Sequence, residues 1–153
     1  MYYWHEGSYD QSITCWLALL EKARDVEDKS WQAQIYIKLI TSQYYKQNYT
    51  AALNWMDDAH NIANVLNNQY LKAQIDVAAG VILNTTGNYE RVISSINKHL
   101  PKIQVMENHY LRLRALRSIA YAYHYTGDQP KALRMLINAE KQTKSLNQSY
   151  NDI

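Results

Sequence analysis

The stretch Gly87-Asn88-Tyr89-Glu90-Arg91-Val92-Ile93 is a turn running into a helix. Gly suits the left-handed position that ends a helix, and Val92, Ile93 and Ile96 return at helical spacing on one face. Upstream, Leu71, Ile75, Ala78, Ala79 and Ile82 are spaced for a helix that stops at the same Gly. The unit is a helix, a tight turn and a second helix.

The same turn recurs every 40 residues. Gly7-Ser8-Tyr9, Gln47-Asn48-Tyr49, Gly87-Asn88-Tyr89 and Gly127-Asp128-Gln129 align without insertion. Core columns keep that register: Ile13, Leu53, Ile93 and Leu133; Trp16, Met56, Ile96 and Leu136; the slim column Ser12, Ala52, Val92 and Ala132. Before the turn, Leu39, Ala79 and Ile119 align, as do Ile40, Gly80 and Ala120. A fixed period with turn and core columns marks a repeat array. The spacing predicts helices at about 9–26, 30–46, 50–67, 69–86, 90–106, 109–126 and 130–147, with residues 1–6 ending an earlier helix. No segment reads as a strand. Pro101 falls inside the 90–106 helix and predicts a kink or early stop near His99-Leu100. Asp128 and Pro130 are start signals for the last helix.

Composition agrees. The chain has 153 residues, 47% hydrophobic and 20% charged, which suits one globular domain over 1–153. Four Gly and two Pro leave few turns for a sandwich or a glycine-rich nucleotide fold. One Cys excludes an internal disulfide and a Cys-rich zinc site; Cys15 reads as a buried small hydrophobe. There is no apolar run of membrane-spanning length and no signal-peptide layout, so the cytoplasm is the simplest location. A periplasmic sensor position is the alternative if the chain is cut from a longer protein. A net charge of +2 demands neither nucleic acid nor membrane. Charge is uneven: residues 1–30 hold six acids and three bases, whereas 105–145 hold seven bases and three acids. Fourteen Tyr and no Phe suit half-buried surfaces, where the ring buries and the hydroxyl stays wet.

The G-x-Y turn, with a small or slim residue three positions after the Tyr, resembles the tetratricopeptide repeat family. Gly87-Asn88-Tyr89 with Val92, and Gly127-Asp128 with Ala132, carry the motif best. Gly80 and Ala120 match the small residue of the first helix, Tyr123 its aromatic, and Ala59 and Ala139 the small residue of the second helix. The resemblance covers essentially the whole chain. It departs from the family in its repeat of 40 rather than 34 and in Ile40, Gln47 and His99, which replace small residues or the turn Gly. This lengthened form is similar to arrays in bacterial regulators and signalling proteins. It implies an all-α, right-handed solenoid of antiparallel helix pairs, about seven full helices plus a remnant. No polar cap helix is evident at either end, so a segment of a longer protein is expected.

The resemblance places binding on the concave groove lined by each first helix. Carried over, the groove residues are Trp4, Ile37, Thr41, Tyr44, Val77, Val81, Asn84, Arg114, Arg117, Tyr121 and His124. Arg114 and Arg117, three apart on one face, suit a carboxylate, with Asn84 adding a hydrogen bond. This is similar to the family's carboxylate-clamp peptide sites, but Ile37 and Val77 stand where those sites use a basic or polar residue. Equally, the tyrosines read as interhelical packing and the arginines as a solvated face. No catalytic constellation, nucleotide loop or close metal pair is present; His5, His60, His99, His109 and His124 form no ligand motif. Asp57 and Asp58 are neighbours that point apart on a helix. The expectation is a non-catalytic protein- or peptide-binding scaffold, the docking or sensory part of a regulator, without metal or cofactor. Its partner would carry an acidic or carboxylate-terminated segment. The alternative is self-association through uncapped ends. RNA binding by the helical repeats is the weakest reading of the Arg and Tyr residues, because the acidic first quarter interrupts any basic track.

Overall fold

In the computed structural model, residues 6–105 and 108–151 are described, with side chains for 8–103, 105 and 108–144. They form α1 (Glu6–Asp25), α2 (Lys29–Tyr45), α3 (Tyr49–Val65), α4 (Gln69–Thr85), α5 (Tyr89–Asn97), α6 (Leu100–Val105), α7 (His109–Tyr125) and α8 (Gln129–Asn151). Among the described residues there is no strand. None of the helices is long and apolar enough to cross a membrane.

Five interhelical turns share one joint. Glu27, Gln47, Asn67, Gly87 and Gly127 all take a positive φ, between 47° and 86°. Each turn satisfies the last carbonyls of one helix twice. At the first, the Glu27 amide donates to the Arg24 carbonyl (2.9 Å) and the Asp28 amide to the Ala23 carbonyl (3.0 Å). This is the paired bonding of a left-handed C-terminal stop. The next residue then starts the following helix. Asp28, Asn48, Asn68, Asn88, Asn108 and Asp128 stand at intervals of 20. The carboxylate or amide oxygens of Asp28, Asn48, Asn68, Asn108 and Asp128 accept from the backbone amide three residues on, at 2.8–3.3 Å. Such a cap contributes about 1 kcal/mol. The repeating interval is therefore 20 at the joints and 40 in the core columns.

One expected helix divides in two. The 90–106 segment stops at Asn97 and restarts at Leu100, which raises seven helices to eight. The Pro101 nitrogen has no proton to give to Asn97, and its ring would clash with that turn. Restarting one residue before Pro101 puts it in the first turn, where the missing N–H costs nothing. His99 makes the joint: its carbonyl accepts from Lys102 (3.0 Å) and Ile103 (2.9 Å), and its side chain is buried.

The chain divides into two compact units, Met1–Ile82 and Leu83–Ile153. In the first, α2 packs on α1 and α3. Ile35, Leu39, Ile40, Met56, Ile75 and Ile82 build its core, with Ala23, Ala33, Ala52, Ala59 and Ala63 letting helices approach closely. In the second, α7 packs on α5, α6 and α8 around Val92, Ile96, Ile103, Leu116 and Ile119. Each large aliphatic side chain so buried contributes about 1.5–3 kcal/mol. Of the repeat columns, Leu39, Ile40, Ala52, Met56, Ala79, Val92, Ile96, Ile119 and Ala120 are buried, whereas Ile13, Leu53 and Ile93 are only half-buried. Two members of the last unit depart further: Leu133 and Leu136 on α8 are 60% and 51% exposed, whereas Met56 and Ile96 are buried. Cys15, expected inside, is exposed on α1, because the inward face of that helix is taken by Leu20 and Ala23.

Candidate interaction surface

Trp4 lies outside the described residues, as does His5. The other candidate positions divide by unit. In the first unit Ile37 and Tyr44 are half-buried against the core. Thr41 is half-buried and gives its hydroxyl proton to the Ile37 carbonyl at 3.0 Å. Val81 is half-buried. Val77 is 1% exposed, a core residue and not a lining one.

Asn84 also differs from the expectation. It is 7% exposed, and its amide donates to the Ser118 carbonyl (3.0 Å) and hydroxyl (3.1 Å). It ties α4 to α7 inside the second unit and is not presented beside the arginines.

Arg114, Arg117, Tyr121 and His124 do share one face of α7. Positions 110, 114, 117, 121 and 124–125 are spaced four or three apart, so they form a single stripe. The stripe runs over about 22 Å of helix. Tyr110, Arg117, Tyr121, His124 and Tyr125 are exposed, and Arg114 is half-buried. The Arg114 guanidinium lies 5.6 Å from the centre of the Tyr110 ring, a cation–π contact. Among the described residues neither Arg114 nor Arg117 has an acidic partner. Between His109 and Tyr125 there are three Arg and no acid. The far end of the stripe is aromatic. Tyr121 and Tyr125 have ring centres 4.6 Å apart, and Tyr125 stacks on Tyr89 at 5.2 Å. His124 packs edge-on to Tyr125 and meets the Gln129 side chain at 3.0 Å.

The first unit repeats the stack. Tyr9 and Tyr45 are 5.5 Å apart and nearly parallel, 80 residues before Tyr89 and Tyr125. Tyr44 meets Tyr45 edge-on, as His124 meets Tyr125. The stacking role of Tyr9 and Tyr89 was not evident from the turn motif alone. The signal that carries it is a Tyr pair 36 apart, recurring after 80 residues. Beside the first stack Lys46 pairs with Asp10.

Two further features occur in the first unit. Gln34 and Gln74, 40 apart, are joined by a 3.1 Å hydrogen bond beneath a hollow of about 190 Å³ edged by Trp31 and Tyr70. His60 on α3 meets Asp76 on α4 at 2.9 Å, with the Asp76 carboxylate buried. No group of three or more potential metal ligands gathers among the described residues. Perturbed titrations are local. The Lys131 ammonium holds the Asp128 carboxyl below the usual carboxylate range. A hydrogen bond to the Tyr36 hydroxyl, 3.1 Å away, raises the Arg24 guanidinium.

The geometry can hold an extended or helical segment along α7, with guanidinium groups for carboxylates and ring faces for apolar or aromatic side chains. Comparison with known proteins adds no family to this picture: no protein-family model matches the chain, and no curated protein matches it.

Proposed function

We propose that the chain is a non-catalytic protein- or peptide-binding scaffold of tetratricopeptide type, a right-handed solenoid of antiparallel helix pairs. Binding would run along the first helices of the repeats, α2, α4 and α7, as in the docking part of a regulator. The observation that carries the reading is the α7 stripe. Two arginines, without acidic partners among the described residues, stand between exposed Tyr110 and the Tyr121–Tyr125 pair. Exposed Arg and Tyr side by side concentrate binding energy, because both bury large surfaces while keeping a polar end engaged. On the first unit Ile37, Thr41, Tyr44 and Val81 are the candidate lining positions, whereas Val77 and Asn84 are buried in their own units. A capture experiment with the whole chain and the Arg114→Glu, Arg117→Glu double variant tests this. A protein held by the first and lost by the second supports the α7 face. Equal capture by both, or capture by neither, counts against it.

A further inference from the structure

We infer that the partner of the α7 stripe is helix α1 of a second copy of this chain, docked antiparallel in a head-to-tail contact. The inference rests on the α7 reading above and names its occupant. Helix α1 exposes a stripe of the same pitch: Asp10, Thr14, Leu17, Glu21 and Asp25 are all exposed. Their offsets match Tyr110, Arg114, Arg117, Tyr121 and Tyr125, 100 residues later. The charges are opposite. Residues 10–28 carry Asp10, Glu21, Asp25, Glu27 and Asp28 against Lys22 and Arg24. Some of this charge is already met within the chain: Lys46 pairs with Asp10, and Arg24 with Glu21 at 2.6 Å. Asp25, Glu27 and Asp28 leave the C-terminal end of α1 acidic, reinforced by the negative end of the helix dipole.

Direction follows from the sequence of the two stripes. Antiparallel, Glu21 falls opposite Arg114, Leu17 opposite the Arg117 stem, Asp25 opposite the Tyr110 hydroxyl and Asp10 opposite His124. Parallel, the arginines would face Thr14 and Leu17 and meet no acid. A contact of one surface with a different one on the next copy is heterologous. It leaves a free stripe at each end and therefore propagates or closes into a ring.

Sedimentation velocity of the full chain, over a concentration series at low and high salt, tests the inference with two reversal variants. One is Arg114→Glu, Arg117→Glu; the other is Glu21→Arg, Asp25→Arg. The wild type should exceed its 17.9 kDa monomer mass as concentration rises, and less so at high salt. Each variant alone should associate at least about tenfold more weakly. Mixed, the two variants should associate again more strongly than either alone, because one contact keeps its original charges and the other carries them exchanged. Circular dichroism confirms that each is folded. A wild type that stays monomeric at every concentration overturns the inference, as does association undiminished by both reversals. In the monomeric case a labelled poly-Glu-Tyr peptide separates the two ideas. Binding lost in Arg114→Glu, Arg117→Glu leaves the α7 reading standing with a different occupant; no binding removes that reading as well.

Discussion

Helix α3 and the α5–α6 pair occupy the same place in the 40-residue register, yet one is continuous and the other broken. Both follow an Asn-Tyr start, Asn48-Tyr49 and Asn88-Tyr89, and both bury the same columns: Ala52 and Met56 in one, Val92 and Ile96 in the other. Two of the positions where they differ lie at the break. Ala59 becomes His99, and Asn61 becomes Pro101. Ala59 is fully buried in a close helix contact, whereas His99 brings a large polar ring to the same depth and turns its carbonyl to the restart of α6. Turn chemistry and the core columns set where helices lie; the break falls where His99 and Pro101 replace Ala59 and Asn61.

The largest test of that comparison transfers the break. Asn61→Pro should destabilise the chain by about 3 kcal/mol or more, because position 61 lies inside α3 with an established turn before it. Denaturant unfolding would read it. The converse change, Pro101→Ala, should shift stability by less than about 1 kcal/mol, since Pro101 already sits in a first turn. An equal loss from both would mean that Pro101 stabilises the start of α6 and is not merely tolerated there.

A second difference between the units is His60–Asp76, which has no counterpart where Leu100 replaces His60. His60→Leu removes one partner of the buried Asp76 carboxylate and should cost about 1–3 kcal/mol. Asp76→Asn, which keeps a hydrogen-bonding group there, should cost less; an unchanged unfolding midpoint in His60→Leu would show the pair to be energetically idle.

The turns differ too. Gln47 holds a left-handed φ of 59° that Gly127 holds without strain. Gln47→Gly should therefore stabilise and Gly127→Gln destabilise, each by about 1 kcal/mol. Space is not the issue at Gly127, where an added Cβ meets nothing within 4 Å. Equal and opposite shifts in thermal midpoint would confirm that the backbone alone is responsible.

Caps sharpen the comparison further. Asn48→Ala should cost about 1 kcal/mol. Asn88→Ala should cost only a few tenths, because the Asn88 side chain makes no cap bond and turns back to Thr86. Asp128 gives the smallest effect. Its carboxyl is held below its ordinary value by Lys131, so its contribution is present above that ordinary value and is lost as pH falls through the lowered one. Asp128→Asn should flatten that acid limb of the melting-temperature profile slightly and leave the neutral region little changed.

Most helix boundaries were legible because G-x-Y turns and apolar columns share one period. The exception is Gly7-Ser8-Tyr9, expected as a turn, which lies within α1 (Glu6–Asp25) because nothing there breaks the helix. The 20-residue joint was harder to see. Glu27, Gln47 and Asn67 do by backbone strain or Asn tolerance what Gly87 and Gly127 do freely, so the turn residues themselves carry no common letter. The Asx column beside them does. The break at His99 was half legible: Pro101 marked it, but the buried ring at Ala59's position gained meaning only from packing. On the candidate surface, angular position along α7 was enough to align Arg114, Arg117, Tyr121 and His124. It was not enough for Val77 and Asn84, whose faces are closed by contacts that one helix's periodicity does not reveal.

The joint described at residues 26–28 and its repeats constrains how such a chain can change length. One Asx residue both seals the helix behind it and opens the helix ahead. Adding or removing a single residue there would misalign two helices at once. A whole block of 40 moves both seals and both apolar faces together and leaves every neighbour's register intact. The first unit is thus built to be edited in paragraphs and to resist edits of single letters, which makes residues 28 and 68 natural splice points for lengthening or shortening it.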